Sequence, residues 1–281
     1  MGQFTQTFEL NRRAMSEALH LLPTTPQLFT DKYLLSLEMS HPLGIGSNQV
    51  EALRGWLKMG GLVTQVNRHG DWTLTELGEL IAEKDPDLRR QVTWWLLHSQ
   101  LAANPDATVY YLLFADHQRS SFVEEQMRTE IAVQAAGVLS ARSVRNDMEG
   151  VLKSFESGRT KLASLGVLTS DGHRWSRGTP EGLTLAAVAY ALYLVRERQF
   201  SSAHSMALQS LAGVPGGLQS IFGIGAGVLR SPLRQLSRWL SSDGYAFTET
   251  AGLDSLTFGS LGSLVVARRG YDGEMRDAVV A

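Results

Sequence analysis

Residues 43–78 read LGIGSNQVEALRGWLKMGGLVTQVNRHGDWTLTELG, and the order of local signals in this stretch decides the fold class. A Gly-rich turn leads to Ser47 or Asn48, either of them a good helix N-cap, with Glu51 placed to answer exposed amides. Val50, Leu53, Trp56 and Leu57 then fall on one helical face. Gly60 and Gly61 stop the helix, because glycine enters the left-handed region at little steric cost. Leu62 to Val66 alternates as a strand, a turn around Gly70 reverses the chain, and Trp72 to Leu74 returns before the cap of another helix. Helix, capped helix and two-stranded hairpin is the order of a winged helix, whose second helix offers a polar side to the major groove. The outward candidates here are Ser47, Asn48, Gln49, Arg54 and Lys58, with Arg68 and His69 on the wing. The same unit also reads as a protein-gripping module, since it contains Glu51 and sits in an acidic half of the chain.

A second unit of the same kind follows. Phe122 to Ala136 reads as a helix, and Ser140 caps the next one, in which Val144, Met148, Val151, Leu152 and Phe155 form the buried stripe. Arg142, Ser143, Arg145 and Asn146 lie on its leading turns, where helix dipole and free amides favour phosphate. Leu165, Val167 and Leu168 lead into a turn at Asp171 and Gly172, with His173, Arg174, Trp175 and Arg177 beyond it. A basic helix followed by a basic hairpin is the better DNA candidate of the two.

Around these units the pattern is helical. Asn11 caps a first helix ending near Leu22, and Leu28 to Ser40 reads as another. Leu88 to Ala103 is apolar on nearly every side, so it reads as a buried helix with His98 as a hydrogen-bonded core histidine. Ala107 to Ala115 and Thr184 to Arg198 continue the apolar helices. The Gly-rich section 213–227 lacks the lysine and spacing of a phosphate-cradling loop. Arg230, Arg234 and Arg238 are four apart and share one helix face, fit either for a strand backbone or for solvent. Tyr245 to Phe258 reads as a strand or turn feeding a short helix, and the chain from Arg268 onward as peripheral. The expected fold is mainly α with small β-hairpins, an α+β chain of tandem winged-helix units plus a helical C-terminal region. Its expected divisions are 1–103, 104–179 and 180–281.

Composition sets the outer limits. The 281 residues carry 26 basic and 28 acidic side chains, a net charge of -2 that argues against a tail-driven nucleic-acid binder but permits a local basic patch. Residues 141–281 are net basic while 1–140 are net acidic, and no acid stands between Glu197 and Asp243. The absence of cysteine excludes disulfides, thiolate metal sites, iron–sulfur clusters and persulfide chemistry carried by this chain. The longest strongly apolar run, Leu183 to Val195, is too short for a bilayer, so no membrane partner is expected. A folded monomer of this mass exposes roughly 12,000 Å².

The stretches GIGSNQVEALRGWLKMGGL, LTELGELI, WWLLHSQLAANPDATVYYLLF, SVRNDMEGVLKSF and FTETAGL, in that order, resemble a family of uncharacterised proteins encoded in bacterial DNA phosphorothioation gene clusters. The resemblance implies a cytoplasmic phage-defence protein that acts on double-stranded DNA. Its implied partners are a cysteine desulfurase, a P-loop ATPase and a sulfur-activating enzyme. It is similar to the DNA-nicking component of the single-strand pathway, although no catalytic motif carries over.

Phosphodiester hydrolysis calls for a metal held by carboxylates or imidazole, or for a positioned nucleophile and acid. Asp116 and His117, with Glu124 and Glu125 beyond them, are the densest acid–histidine group, suited to Mg²⁺ or Mn²⁺. Asp147 and Glu149, with Lys153, are a weaker set on a helix. Tyr110 and Tyr111 have apolar neighbours and read as core rather than as nucleophiles. Without a nuclease, the chain reads as a DNA binder, or as a non-catalytic scaffold joining an ATPase to sulfur-transfer enzymes.

Overall fold

The computed structural model describes residues 4–30, 42–66, 70–116, 118–250 and 253–275. Among them the first part of the chain runs α1 (Arg12–Leu21), α2 (Ser47–Met59), β1 (Val63–Gln65), β2 (Trp72–Leu74), α3 (Glu76–Lys84) and α4 (Gln91–Ala102). The middle holds α5 (Thr108–Ala115), β3 (Ser121–Phe122), α6 (Glu124–Gln134), α7 (Ala141–Glu156), β4 (Leu168–Ser170) and β5 (Trp175–Arg177). The last part holds α8 (Leu185–Gln199), β6 (Ser205–Ala207), α9 (Leu208–Ala212), α10 (Leu218–Phe222), α11 (Ala226–Leu240), β7 (Ala246–Thr250), β8 (Leu253–Thr257) and α12 (Ser263–Asp272). This is a mixed α+β protein, dominated by helices, with small antiparallel sheets. Its accessible surface is 12,792 Å², close to that expected of a folded chain of this mass.

The helix starts follow local chemistry. Asn11, Thr75, Ser140 and Thr184 each accept a backbone N–H three residues on, as N-caps do. The cap of α2 is Gly46 rather than Ser47 or Asn48, and the Gln49 side chain reaches back to accept its N–H at 3.2 Å. Asp85 delays α4 to Gln91, because its carboxylate takes the amides of Arg89 and Arg90 and so holds the chain out of helix. Phe122 belongs to β3, so α6 begins at Glu124. The helix expected over Leu28 to Ser40 falls mostly outside the described residues.

Two of the sheets share one plan. In the order β3–β5–β4, the short strand ahead of a helix pair joins the last strand of the following hairpin, through Ser121 opposite Ser176 and Phe122 opposite Trp175. The order β6–β8–β7 repeats this, with Met206 opposite Leu256. At the first hairpin, the Trp72 N–H donates to the Pro26 carbonyl at 2.8 Å, so the incoming chain borders β2 where β3 borders β5. The C-terminal region expected to be helical therefore carries a three-stranded sheet as well. Tyr245 to Phe258 is a hairpin, not a strand feeding a helix, since Thr248, Thr250 and Thr257 favour extended backbone and β8 pairs on both sides. Nor is the end peripheral: α12 packs along α8 with Val266, Ala267 and Tyr271 buried. Gly270 allows this approach, because a Cβ there would stand 2.6 Å from the Ala186 Cβ.

The core is built around α4, buried along its whole length from Val92 to Ala102. His98 sits at its middle with no exposed surface. Its Nε2 lies 2.7 Å from the Ile221 carbonyl, an obligate acceptor, so Nε2 carries the proton and Nδ1 accepts from the Tyr110 hydroxyl at 2.6 Å. Phe114 and Trp95 pack edge-on against the ring. Burial pushes the imidazole down to about 4, with a further push from the Arg177 charge, so it is neutral at physiological pH. His98 is the core histidine that the sequence suggests. Replacing it with alanine leaves the Tyr110 hydroxyl and Ile221 carbonyl unpaired around a cavity, and urea denaturation should show a loss of about 3–5 kcal/mol.

Candidate nucleic-acid interface

On α7 the buried stripe of Val144, Met148, Val151, Leu152 and Phe155 turns one face to the core. The opposite side of the leading turns then faces solvent by geometry alone. Arg142 and Arg145 are exposed there and make no hydrogen bond or ion pair among the described residues. Ser140 caps the helix through the Ser143 amide at 3.1 Å, and the first turn holds no acid. Two free guanidinium groups thus stand at the positive end of a 16-residue helix. Beside α7 lies the β4–β5 hairpin, whose turn exposes Arg174. Asp171 in that turn is occupied by its own backbone, accepting from the His173 and Arg174 amides at 2.9 and 2.7 Å.

Arg177 departs from the outward position expected of it. Its guanidinium folds back 4.6 Å over the Phe114 ring and donates to the Leu113 carbonyl, while its Nε has no partner among the described residues. Burial lowers its pKa to about 10, opposed by the nearby Asp116 carboxylate and Tyr110. The cause of the inward turn is β5 itself: Arg177 bonds to Leu168 and Ser120 in a central strand against α5. In the first unit Arg54 also turns in, donating to the Phe29 carbonyl at 2.9 Å with its guanidinium 5.9 Å from the Trp72 ring. Asn48, Gln49 and Lys58 are exposed on α2, and Arg68 lies outside the described residues.

The acidic candidates are not brought together. Asp147 is fully buried, while Glu149, two residues on, faces outward and pairs with Lys153 at 2.5 Å. Asp116 holds Arg119 at 3.0 Å, and Arg119 in turn reaches Glu130 at 2.7 Å. His117 lies outside the described residues. Among the described residues no three Asp, Glu or His side chains converge as metal ligands would.

The Asp147 carboxylate does something the sequence did not suggest. It accepts the Phe4 N–H at 3.0 Å, the Thr5 N–H at 2.7 Å and the Thr5 hydroxyl at 3.1 Å. The N-terminal segment is thereby strapped across α7, and Asn146 lends its carbonyl to Thr5. Further along, the Leu10 N–H donates to Ser154 at 2.9 Å, Gln6 donates to Glu51, and the Trp56 indole donates to the Phe8 carbonyl. The strap so joins α7 to α2. Gly150 makes room for it, since a Cβ there would meet the Thr5 hydroxyl at 2.4 Å. The signal in the sequence was an acid at a buried helical position, spaced with Val144 and Val151.

A family model described as a protein of unknown function, DUF4007, matches residues 5–266. The chain belongs to the DUF4007 family. That match takes in α1 through the first turn of α12, including the strap from Thr5 onward, α7 and the three described hairpins. No curated protein matches the chain. Among solved structures, this DUF4007 chain is similar to a magnesium ion-bound SspB crystal structure, with a TM-score of 0.81 at 21% identity, covering 99% of this chain and 91% of the other. A second SspB crystal structure gives a TM-score of 0.80 at 22% identity, with 98% and 87% covered. These likenesses establish the fold of this family member. No described helix is long and apolar enough to cross a membrane.

Burial raises Asp147 to about 6 even though the amides and hydroxyl of the strap pull it down. A carboxyl whose folded value is raised favours the fold below its unfolded value near 4 and loses that contribution as pH climbs through 6. Relative to Asp147→Asn, which does not titrate, the natural protein should lose roughly 2–3 kcal/mol of its advantage between pH 4 and pH 7. Parallel urea titrations of the two proteins at both pH values check this; a constant difference refutes it.

Proposed function

We propose that this chain is the DNA-binding component of a bacterial DNA phosphorothioation and phage-defence system, gripping duplex DNA through winged-helix units. The observation that carries the reading is the exposed, unpartnered pair Arg142 and Arg145 at the leading turns of α7. Support also comes from the hairpin beside that helix, from the strand order β3–β5–β4, and from Arg174 on the turn. The setting follows the family resemblance in the sequence and the shared fold with SspB. The same resemblance supplies the cytoplasmic location and the partners: a cysteine desulfurase, a P-loop ATPase and a sulfur-activating enzyme. Arg142, Arg145 and Arg174 serve the phosphate backbone in this reading, and Asn48, Gln49 or Asn146 the bases.

The double substitution Arg142→Ala/Arg145→Ala removes two phosphate contacts without touching the core. Duplex binding, followed by fluorescence anisotropy across a salt series, should weaken about tenfold or more, with a slope shallower by roughly 2. Equal affinity and slope in both proteins would rule out α7 as the contact surface.

Strand nicking with Mg²⁺ or Mn²⁺ is a second reading, favoured by the magnesium ion in the similar SspB structure. The candidate carboxylates in hand do not fit a resident ion well, because Arg119, Lys153 and the strap already hold them. Supercoiled plasmid incubated with rigorously purified protein and either ion tests it. EDTA-sensitive nicks that persist through purification support nicking, and intact plasmid leaves binding as the activity.

A further inference from the structure

The C-terminal part of the chain repeats the plan of the middle part strand for strand. In both, a helix precedes a short strand, further helices follow, and the long helix before the hairpin lies beside it. In the middle part that helix is α7; in the C-terminal part it is α11. Beyond their shared topology, α11 is the more basic. Arg230, Arg234 and Arg238 recur every four residues on one side, and its first turn contains no acid and no side-chain cap. Among the described residues the approach to its N-terminus is open as well, with nothing within 4 Å of where a Cβ would stand at Gly223, Gly225 or Gly227.

What separates the two helices is what faces their arginines. Around α11 the β7–β8 hairpin supplies acids at matching spacing. Glu249 takes Arg234 in a two-pronged grip, with Nε and a terminal nitrogen each 2.9 Å from a carboxylate oxygen. Asp254 takes Arg230 at 2.6 Å. The hairpin is pinned in this register by the Phe247 N–H, which donates to Ser237 at 3.2 Å. Arg238 remains exposed with no partner among the described residues. A carboxylate bound by a guanidinium fork has the geometry of a bound phosphate.

We propose that α11 is a second phosphate-backbone site for DNA, held shut by Glu249 and Asp254 of its own hairpin acting as phosphate mimics. The inference rests on the α7 reading for the identity of the nucleic acid. The Arg234–Glu249 pair is solvent-exposed on both sides, at 60% and 38%, and such a pair is held weakly enough for a polyanion to displace it. Arg230 is 47% exposed but its partner Asp254 only 10%, so that pair opens second. Displacement turns the guanidinium of Arg234, and then that of Arg230, from carboxylate to phosphate, so that both join Arg238 along the strand.

The test is the double variant Glu249→Gln/Asp254→Asn, measured by anisotropy with a labelled duplex across a salt series. It should bind about threefold to tenfold tighter than the natural protein, with a slope steeper by roughly 2. Adding Arg230→Ala/Arg234→Ala should abolish the gain. A control, Glu83→Gln/Asp272→Asn, removes two acids that are likewise paired, with Arg268 and Lys84, on the α3–α12 face. An equal gain in the control, or unchanged affinity and slope in a Glu249/Asp254 variant that melts like the natural protein, overturns the proposal. The α7 reading is scored separately by Arg142→Ala/Arg145→Ala. If that variant weakens binding while the hairpin variant changes nothing, only the α11 site falls. If it changes nothing while the hairpin variant gains, α11 stands and α7 falls.

Discussion

Every unit of this protein leans on α4, and α4 is stable in the interior only because its polar side chains are satisfied. A helix buried on all sides has no wet face on which to place them. Thr93 therefore bonds to Asp85 and Tyr271, Ser99 turns back to the Trp95 carbonyl, and Gln100 donates to the Tyr190 hydroxyl. His98 is the most consequential of them. Its two nitrogens reach into α5 and α10, and its ring lies among aromatics from α4, α5 and α7. One neutral imidazole thereby sets the spacing between the middle unit and the C-terminal one.

Asp147 plays the comparable part between α2 and α7, by the opposite electrostatic route. His98 contributes fully above its unfolded value near 6.5 and loses that contribution as pH falls toward 4. Asp147 contributes most at the acidic end and less as pH rises toward 6. The two dependences oppose one another across the same interval, so a stability profile of the whole protein masks both. A buried carboxyl is retained here despite its cost because three donors from one short segment need a common acceptor, and few side chains supply enough lone pairs.

Local signals were legible and distant ones were not. The caps Asn11, Thr75 and Ser140 and the apolar faces of α2 and α7 are written within a few residues, and so is the uninterrupted apolar run of α4. The strap is different, since it depends on Thr5 meeting a residue 142 positions away. Arg177 and Arg54 look like surface arginines in sequence because nothing adjacent reveals that an aromatic ring and a backbone carbonyl await them. The third sheet was missed for a similar reason. Ser205 to Ala207 is too short to announce a strand, and only its pairing with Leu256 and its neighbours makes it one.

The same distinction governs charge. Arg142 and Arg145 on α7 and Arg230 and Arg234 on α11 are equivalent by any reading of helix periodicity, yet only the first pair is free. Each helix has a hairpin beside it, and each hairpin carries acid, but the acids are engaged differently. Asp171 is consumed by its own turn, where two amides hold its carboxyl below the usual carboxylate range. Glu249 and Asp254 sit along paired strands whose amides are already taken up in the β7–β8 ladder, which leaves their carboxylates to seek the neighbouring helix. Whether an arginine-bearing helix is open or covered is thus set by where in its hairpin the acid falls: in the turn it satisfies backbone, and on a strand it neutralises the helix.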